Sequence, residues 1–427
     1  MHTVEDLRNQ TGRAPVLVVG AGSSGLATAA MLGKAGLPAV VLDGADRVGS
    51  SWSERYDHLE LHTTRRFSAL PGLPVPRQAG CWVGRDDWVR YLRDYADHHR
   101  LDIRTATVVR RIEPAPPAVS GRGALWQVST AGGPRLAASA VIVATGRNRV
   151  PRMPDWPGRT SFTGALLHAA QYRHPGPYRG RAVLVVGAGN SAAEIAVALS
   201  NAGAGPVWMA VRTPPHIVPR SSNHLQAFAG VTQHMPRAWG DCATAVMQRL
   251  TLPDLTPFGL PRPTVGMYTR AAREEVNPVL DHGLVDAIRS GGVRVTAAVT
   301  GFDGPRVLLA DDTSLTPEVV IAATGYRTNL PELLGPSPVL DAAGLPLVRG
   351  ERTHSSAPHL YFAGFGNPLT GALHHQGVEA RRIARTLSRT ARALSRTAPS
   401  GRDAATGDGV MIPRQASRTR SIFARNR

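Results

Sequence analysis

The sequence predicts an α/β protein with two Rossmann-like dinucleotide-binding domains, and three observations predict it. The glycine fingerprint Gly20-Ala-Gly-Ser-Ser-Gly25 recurs 167 residues later as Gly187-Ala-Gly-Asn-Ser-Ala192. Each copy follows a short apolar, β-branched run, Val16 to Val19 and Val183 to Val186, and opens an apolar stretch with helical spacing. Each is also followed by a second buried-strand pattern ending in Ala-Thr-Gly: Ala140 to Ala144 before Thr145-Gly146, and Val319 to Ala323 before Thr324-Gly325. A strand that ends in small residues lets the chain pass close to a bound dinucleotide.

Residues 1–13 are polar and read as a flexible N-terminus with no apolar signal-peptide core. In the first unit, Gly20 makes the tight turn, Gly22 lets the backbone approach a pyrophosphate, and Gly25 lets helix and strand pack closely; Ser24 sits in the helix start, where N–H groups and the dipole favour an anion. The second strand, Ala39 to Leu42, ends in Asp43, 23 residues beyond Gly20, where a carboxylate would accept the ribose hydroxyls of FAD or NAD. Trp52 to Pro76 reads as an irregular Pro-rich loop, Asp87 to His98 as a helix, and Leu101 to Ala138 as strands broken by Pro114, Pro116, Pro117 and Gly132-Gly133. In the second unit Gly187, Gly189, Asn190 and Ser191 open the helix, and the strand Val207 to Val211 ends in Arg212 and Thr213. A guanidinium where the first unit has a carboxylate suits a 2′-phosphate and favours NADPH over NADH. Between Ser221 and Thr256, Trp239, Cys242, Ala243, Val246, Met247 and Leu250 recur at helical spacing. They predict a core-facing helix in a cap near 221–256 that lines the substrate entrance; a lipid-facing amphipathic helix is the alternative.

Composition narrows the class. Cys81 and Cys242 are the only cysteines of 427 residues, so there is no disulfide framework, no CxxC redox pair and no zinc spacing, which points to a reducing, cytoplasmic setting. No metal site is expected, since the pair His374-His375 has no carboxylate or cysteine at ligand spacing beside it. No run approaches a spanning length. The net charge of +18 comes from arginines spread along the chain without a basic cluster interleaved with aromatics, so no nucleic-acid partner is expected. Residues 391–427 are rich in Arg, Ser, Thr, Ala, Gly and Pro and read as a disordered basic tail.

Between the two units lies Phe162-Thr-Gly164-Ala-Leu-Leu-His168-Ala-Ala-Gln-Tyr172, which fits the pattern FxGxxxHxxxY. In this motif the chain resembles the class B flavin-dependent monooxygenases, and Tyr172 resembles the flavin-containing monooxygenase branch. The segments from Trp52 to Thr63, Arg212 to Arg220 and Thr324 to Pro331 resemble the YUCCA-type enzymes and their bacterial relatives. The resemblance implies a second domain inserted in the first: an FAD domain of 14–155 and 320–390, and an NADPH domain of 156–319. It implies FAD contacts for Gly20, Gly22, Ser24, Gly25, Asp43, Trp52, Val109, Thr145, Gly146 and Gly364, with His62 and Thr63 beside the flavin ring. NADPH falls to Gly187, Gly189, Asn190, Ser191, Arg212, Thr213, Thr324 and Gly325. Many family members carry Asn where this chain has His62. The acidic residue usual after Gly364 in related disulfide reductases is missing.

The activity so implied is insertion of one oxygen atom from O2 into a small organic substrate through a C4a flavin hydroperoxide, as N- or S-oxidation or as oxidation of a ketone or 2-oxo acid. Local proton donors choose between these outcomes, and His62, His168, Tyr172, His374 and His375 are the candidates. For His168 the resemblance implies a linker role. Two other classes stay open: an NADPH-dependent flavin oxidase or reductase without oxygen insertion, and a non-catalytic nucleotide binder using its basic tail. Peripheral membrane contact also stays open.

Overall fold

The computed structural model describes residues 14–117, 125–220 and 236–397. The first sheet is five-stranded and parallel, in the order Leu360–Phe362, Ala140–Val143, Val16–Val19, Ala39–Leu42 and Asp102–Arg104. The second repeats the plan with Ala165–His168, Val319–Ala322, Val183–Val186, Val207–Ala210 and Arg294–Thr296. Both fingerprint strands are buried on both faces, as parallel strands covered on each side must be. Val16 and Val18 pack into one core while Leu17 and Val19 pack into another. Val183 and Val185 part from Leu184 and Val186 in the same way.

The last strand of the first sheet follows the whole second sheet in sequence, so the second domain is inserted in the first. The two crossings between domains pair with one another, Val150–Pro151 antiparallel to Tyr326–Arg327. One boundary moves. Val319–Ala322 lies between two strands of the second sheet, so residues 320–323 belong to the inserted domain and not to the FAD domain.

The Ala-Thr-Gly strands occupy equivalent places, each beside its fingerprint strand. Their backbone presses so closely on the fingerprint turns that Gly20 and Gly187 must be glycine. A Cβ on Gly20 (φ +109°) would lie 2.6 Å from the Ala144 carbonyl oxygen, and one on Gly187 (φ +136°) 2.5 Å from that of Ala323.

Three further expectations change. The stretch from Trp52 to Pro76 is not wholly irregular: Glu60–Thr64 is a strand antiparallel to Trp82–Gly84, followed by the helical turn Arg65–Ser68. Its β-branched threonines suit a strand, and the prolines begin only at Pro71. The terminal helix is Ala372–Thr397 and so runs past Ala391, where the tail was expected to begin. Ala391, Ala393 and Leu394 are good helix formers, which continues the helix. Residues 398–427 and 1–13 lie outside the described residues.

The cap helix Arg237–Thr251 turns most of its expected face outward: it buries Gly240, Thr244 and Gln248, while Trp239, Val246 and Leu250 are 67%, 50% and 81% exposed, and of the expected set Met247 packs inward. Close approach to the neighbouring helix Met267–Glu274 explains this. A Cβ on Gly240 would lie 2.9 Å from the Tyr268 ring, so only a small residue fits, and Asp241 accepts the Tyr268 N–H at 2.6 Å. Gln248 Nε2 donates to the Ile217 carbonyl at 2.8 Å, so its polar group is satisfied inside. The rest of the expected cap, 221–235, lies outside the described residues.

Candidate active site

A cavity of about 850 Å³ is lined by both fingerprints. Its wall holds Gly20, Gly22, Ser24, Asp43, Trp52, His62, Thr63, Val109, Thr145, Gly146 and Gly364 of the expected FAD set. From the expected NADPH set it holds Gly189, Asn190, Ser191 and Gly325. Gly25, Gly187, Arg212, Thr213 and Thr324 are not in the wall. Gly25 sits behind it against Gly20, Arg212 and Thr213 are exposed, and the Thr324 hydroxyl donates to the Arg152 carbonyl.

Two glycines test whether nucleotides fit. Gly22 and Gly189 hold φ of −78° and −95°, which any residue adopts, and a Cβ on either would meet no protein atom within 4 Å. Neither backbone strain nor packing requires glycine there. A group pressed against the backbone from the cavity would require it, at the same point of both fingerprints, and a pyrophosphate is such a group.

Asp43 is held ready beside the first fingerprint: its carboxylate accepts the backbone N–H groups of Ala21 and, at 2.8 Å, Ala45. Asn190 spends its side chain on the segment behind it. Oδ1 accepts the Leu280 N–H at 2.8 Å and Nδ2 donates to the Pro278 carbonyl at 3.1 Å, so its backbone is what remains for a nucleotide.

The FxGxxxHxxxY residues form a joint between the domains. His168 Nδ1 accepts the Ala170 N–H at 3.0 Å, so Nε2 carries the proton and donates to the Gly325 carbonyl at 3.0 Å. Burial pushes its pKa down, in keeping with a neutral ring. Gly164 has no room for a side chain between the Phe162 ring and the Glu318 carbonyl. Tyr172 is fully buried and stacked on Tyr178, outside the cavity wall, and burial raises its phenol pKa. His374 and His375 are also outside the wall. Of the five expected proton donors, His62 and His168 line the cavity.

Two buried carboxylates escaped the sequence reading. Glu379, 4% exposed, comes from the terminal helix and accepts the Gly364 N–H at 3.0 Å. It also lies 3.3 Å from Nε2 of His375, one helical turn earlier, so the His374-His375 pair does have a carboxylate at i,i+4 spacing, contrary to expectation. Its signal was available, since it is the only acid in 372–397. Glu379→Ala leaves that buried N–H unpaired, and we expect a stability loss of about 1–3 kcal/mol in thermal or urea unfolding, with Glu379→Gln largely preserving the wild-type value.

Glu194, also 4% exposed, lies on the second fingerprint helix Asn190–Asn201 and accepts the Tyr56 hydroxyl at 2.8 Å and His62 Nε2 at 2.6 Å. His62, Glu194 and His282 put one donor atom each within 4.8 Å of one another. Both Glu194 oxygens already serve hydrogen bonds, to Tyr56 and to His62, whereas His282 lies beside them and acts on Glu194 through charge.

The sequence profile of the pyridine nucleotide-disulphide oxidoreductase family matches residues 17–229. Indole-3-pyruvate monooxygenase YUCCA1 of Oryza sativa subsp. japonica is 37% identical over 77% of this chain and 80% of its own length. Probable indole-3-pyruvate monooxygenase YUCCA3 of Arabidopsis thaliana is 33% identical over 82% of this chain and 81% of its own. A flavin-containing monooxygenase from Stenotrophomonas maltophilia shares the fold with a TM-score of 0.67 at 23% identity, over 89% of this chain and 98% of that one. With both fingerprints, the interdomain motif and a cavity reaching both nucleotide units in place, the chain belongs to the class B flavin-dependent monooxygenases, enzymes that use FAD and NADPH to insert an oxygen atom from O2, and within them it resembles the YUCCA group.

Proposed function

We propose that the substrate is a 2-oxo acid with an apolar, aromatic-sized side chain, oxidatively decarboxylated with one O2 and one NADPH to the acid one carbon shorter. The balance is RCOCOOH + O2 + NADPH + H⁺ giving RCOOH + CO2 + H2O + NADP⁺. The observation that carries this reading is the apolar side of the cavity, built by Val218, Met247, Met267, Tyr268, Leu280 and Leu369. The relatives named for indole-3-pyruvate support it.

In this reading FAD reduced by NADPH supplies the activated oxygen, and the chain binds, orients and excludes water. The first fingerprint and Asp43 hold the FAD pyrophosphate and ribose, the second holds the NADPH pyrophosphate, and Arg212 takes the 2′-phosphate. His62 and Thr63 stand at the flavin, while His168 keeps the domains in register. The domains are 14–155 with 324–390 for FAD and 156–323 for NADPH. Among the described residues no helix is long and apolar enough to cross a membrane. A cytoplasmic setting agrees with Cys81 and Cys242 being free thiols.

The test is turnover with ¹⁸O2 and an aromatic 2-oxo acid. We expect one ¹⁸O in the carboxylate product and close to one product per NADPH. Product from amines or thioethers, with only H2O2 from every 2-oxo acid, overturns the substrate assignment.

A further inference from the structure

A second cavity, of about 350 Å³, shares no lining residue with the first. Leu70, Pro71, Leu73 and Pro74 give it an apolar wall, and Arg66, His374 and Arg381 line it without any acidic residue. Among the described residues neither guanidinium has an acidic partner. Arg382, next along the helix, differs in facing Glu351 at 3.8 Å. Glu379, the only acid of helix Ala372–Thr397, is buried and turned to His375 and the Gly364 N–H. Burial, and then the charges of Arg381 and His375, push the His374 pKa down, with no carboxylate opposing them. Two permanent cations and a histidine therefore line one small space that holds no anion of the protein's own. Like charges gathered this way repel one another and focus a positive potential in the cleft.

We propose that this cavity binds a phosphomonoester group carried on a small organic body, separately from FAD and NADPH, and that the ligand acts on the flavin side through the wall the two cavities share. Two guanidinium groups match the near-double charge of a phosphate and can grip its oxygens in pairs, whereas a monocarboxylate would leave one of them uncompensated. The apolar wall, and a volume beyond that of a bare phosphate, call for the organic body.

Two elements build both cavities. The strand Glu60–Thr64 lends His62 and Thr63 to the first, and the turn that follows it, Arg65–Ser68, lends Arg66 to the second. Helix Ala372–Thr397 gives Ala372, Leu373 and Gln376 to the first and His374, Gly377 and Arg381 to the second. The elements touch at a glycine beside each cavity: a Cβ on Gly371 would collide with Thr63 Cγ2, and one on Gly377 would lie 3.2 Å from Pro71 Cδ. Ser68 Oγ lies 2.7 Å from Thr63 Oγ1, which ties the turn to Thr63. An anion that draws Arg66 and Arg381 together therefore pulls on both elements at this junction. The action on the flavin rests on the assignment of Thr63 to the flavin side made above; the binding does not.

The test takes the FAD-loaded enzyme saturated with NADP⁺, so that the nucleotide sites are filled, and titrates it calorimetrically at fixed pH and ionic strength. We expect saturable binding of phenyl phosphate at one site, with inorganic phosphate and benzoate both weaker. Arg66→Gln and Arg381→Gln should each weaken it by about 10-fold or more, as expected for loss of a charge-assisted hydrogen bond, while Arg212→Ala leaves it unchanged. Both residues are exposed, so the variants should fold and keep FAD. Phenyl phosphate should also shift the visible flavin band of the wild type and leave that of the double variant where it was.

Binding that does not saturate, or that survives in the double variant, overturns the site, and benzoate binding as tightly as phenyl phosphate overturns the ligand class. Vesicles of phosphatidylcholine containing phosphatidic acid form a further arm. Retention on them that needs both arginines, without binding of phenyl phosphate, would overturn the free ligand in favour of a lipid headgroup with the same phosphomonoester chemistry. Saturable binding with an unmoved flavin band overturns the coupling; a band that also ignores Thr63→Ala would trace that failure to the flavin-side assignment. Loss of the 2-oxo acid assignment in the ¹⁸O2 experiment would leave each of these results standing.

Discussion

Gly25→Ala is expected to yield a protein that purifies with little or no flavin. A Cβ at Gly25 would lie 1.9 Å from the Gly20 carbonyl oxygen and 3.4 Å from the Ala144 Cβ. The first of these is an impossible separation, and its partner is backbone, so no side chain can swing aside. The helix Ser23–Lys34 would have to retreat, yet its residues from Ser23 to Leu32 are all buried. Overpacking of this kind costs about 1–3 kcal/mol or more. Here the displaced atoms are the loop that must cradle a pyrophosphate, so FAD affinity should fall by at least about 100-fold.

Gly22→Ala is the control, because its Cβ meets no protein atom. It should keep the unfolding midpoint of the FAD-free protein while still weakening FAD. Visible flavin absorbance per polypeptide and thermal unfolding of the stripped chains separate the two. Stoichiometric FAD in Gly25→Ala would show that the close packing of helix on loop is not what forms the site.

What the sequence made legible was local. A fingerprint, the strand before it and the helix after it fall within about twenty residues, and the constraints on Gly20, Gly25 and Gly187 are written in the residue types themselves. The interdomain motif was legible for the same reason, since His168 spends one nitrogen on Ala170, two residues away. Sidedness of the cap helix was not. Its apolar stripe from Trp239 to Leu250 has the period of a buried face, but Tyr268 at Gly240 decides which side can approach, and that contact spans 28 positions. Glu194 was hidden for a related reason: its ties to Tyr56 and His62 cross 138 and 132 residues. A glutamate in a helix reads as surface until a partner on another domain is known. The boundary at 320 failed because a return strand joins the second sheet before the chain leaves it, and strand order is a property of the assembled sheet.

Arg212→Ala should lower kcat/KM for NADPH by about 10- to 100-fold, the worth of charge-assisted hydrogen bonds to a phosphate, and leave NADH within about twofold. The two sheets make the comparison residue by residue. Asp43 is the first residue beyond its strand and its N–H donates to the Arg104 carbonyl; the matching bond in the second sheet runs from Val211 to Thr296. Val211 is therefore the counterpart of Asp43, and Arg212 follows it. The second site lacks a carboxylate where one would repel a 2′-phosphate, and it adds a cation one residue on. Arg212 is exposed, and among the described residues it has no acidic partner to satisfy first. Because it is exposed, its contribution should shrink as salt rises, and the NADPH preference should narrow between low and high ionic strength. Val211→Asp combined with Arg212→Ala should carry the preference towards NADH, since the carboxylate then meets free ribose hydroxyls. Equal losses for both nucleotides in Arg212→Ala would mean that the guanidinium supports the strand end and that selectivity lies elsewhere.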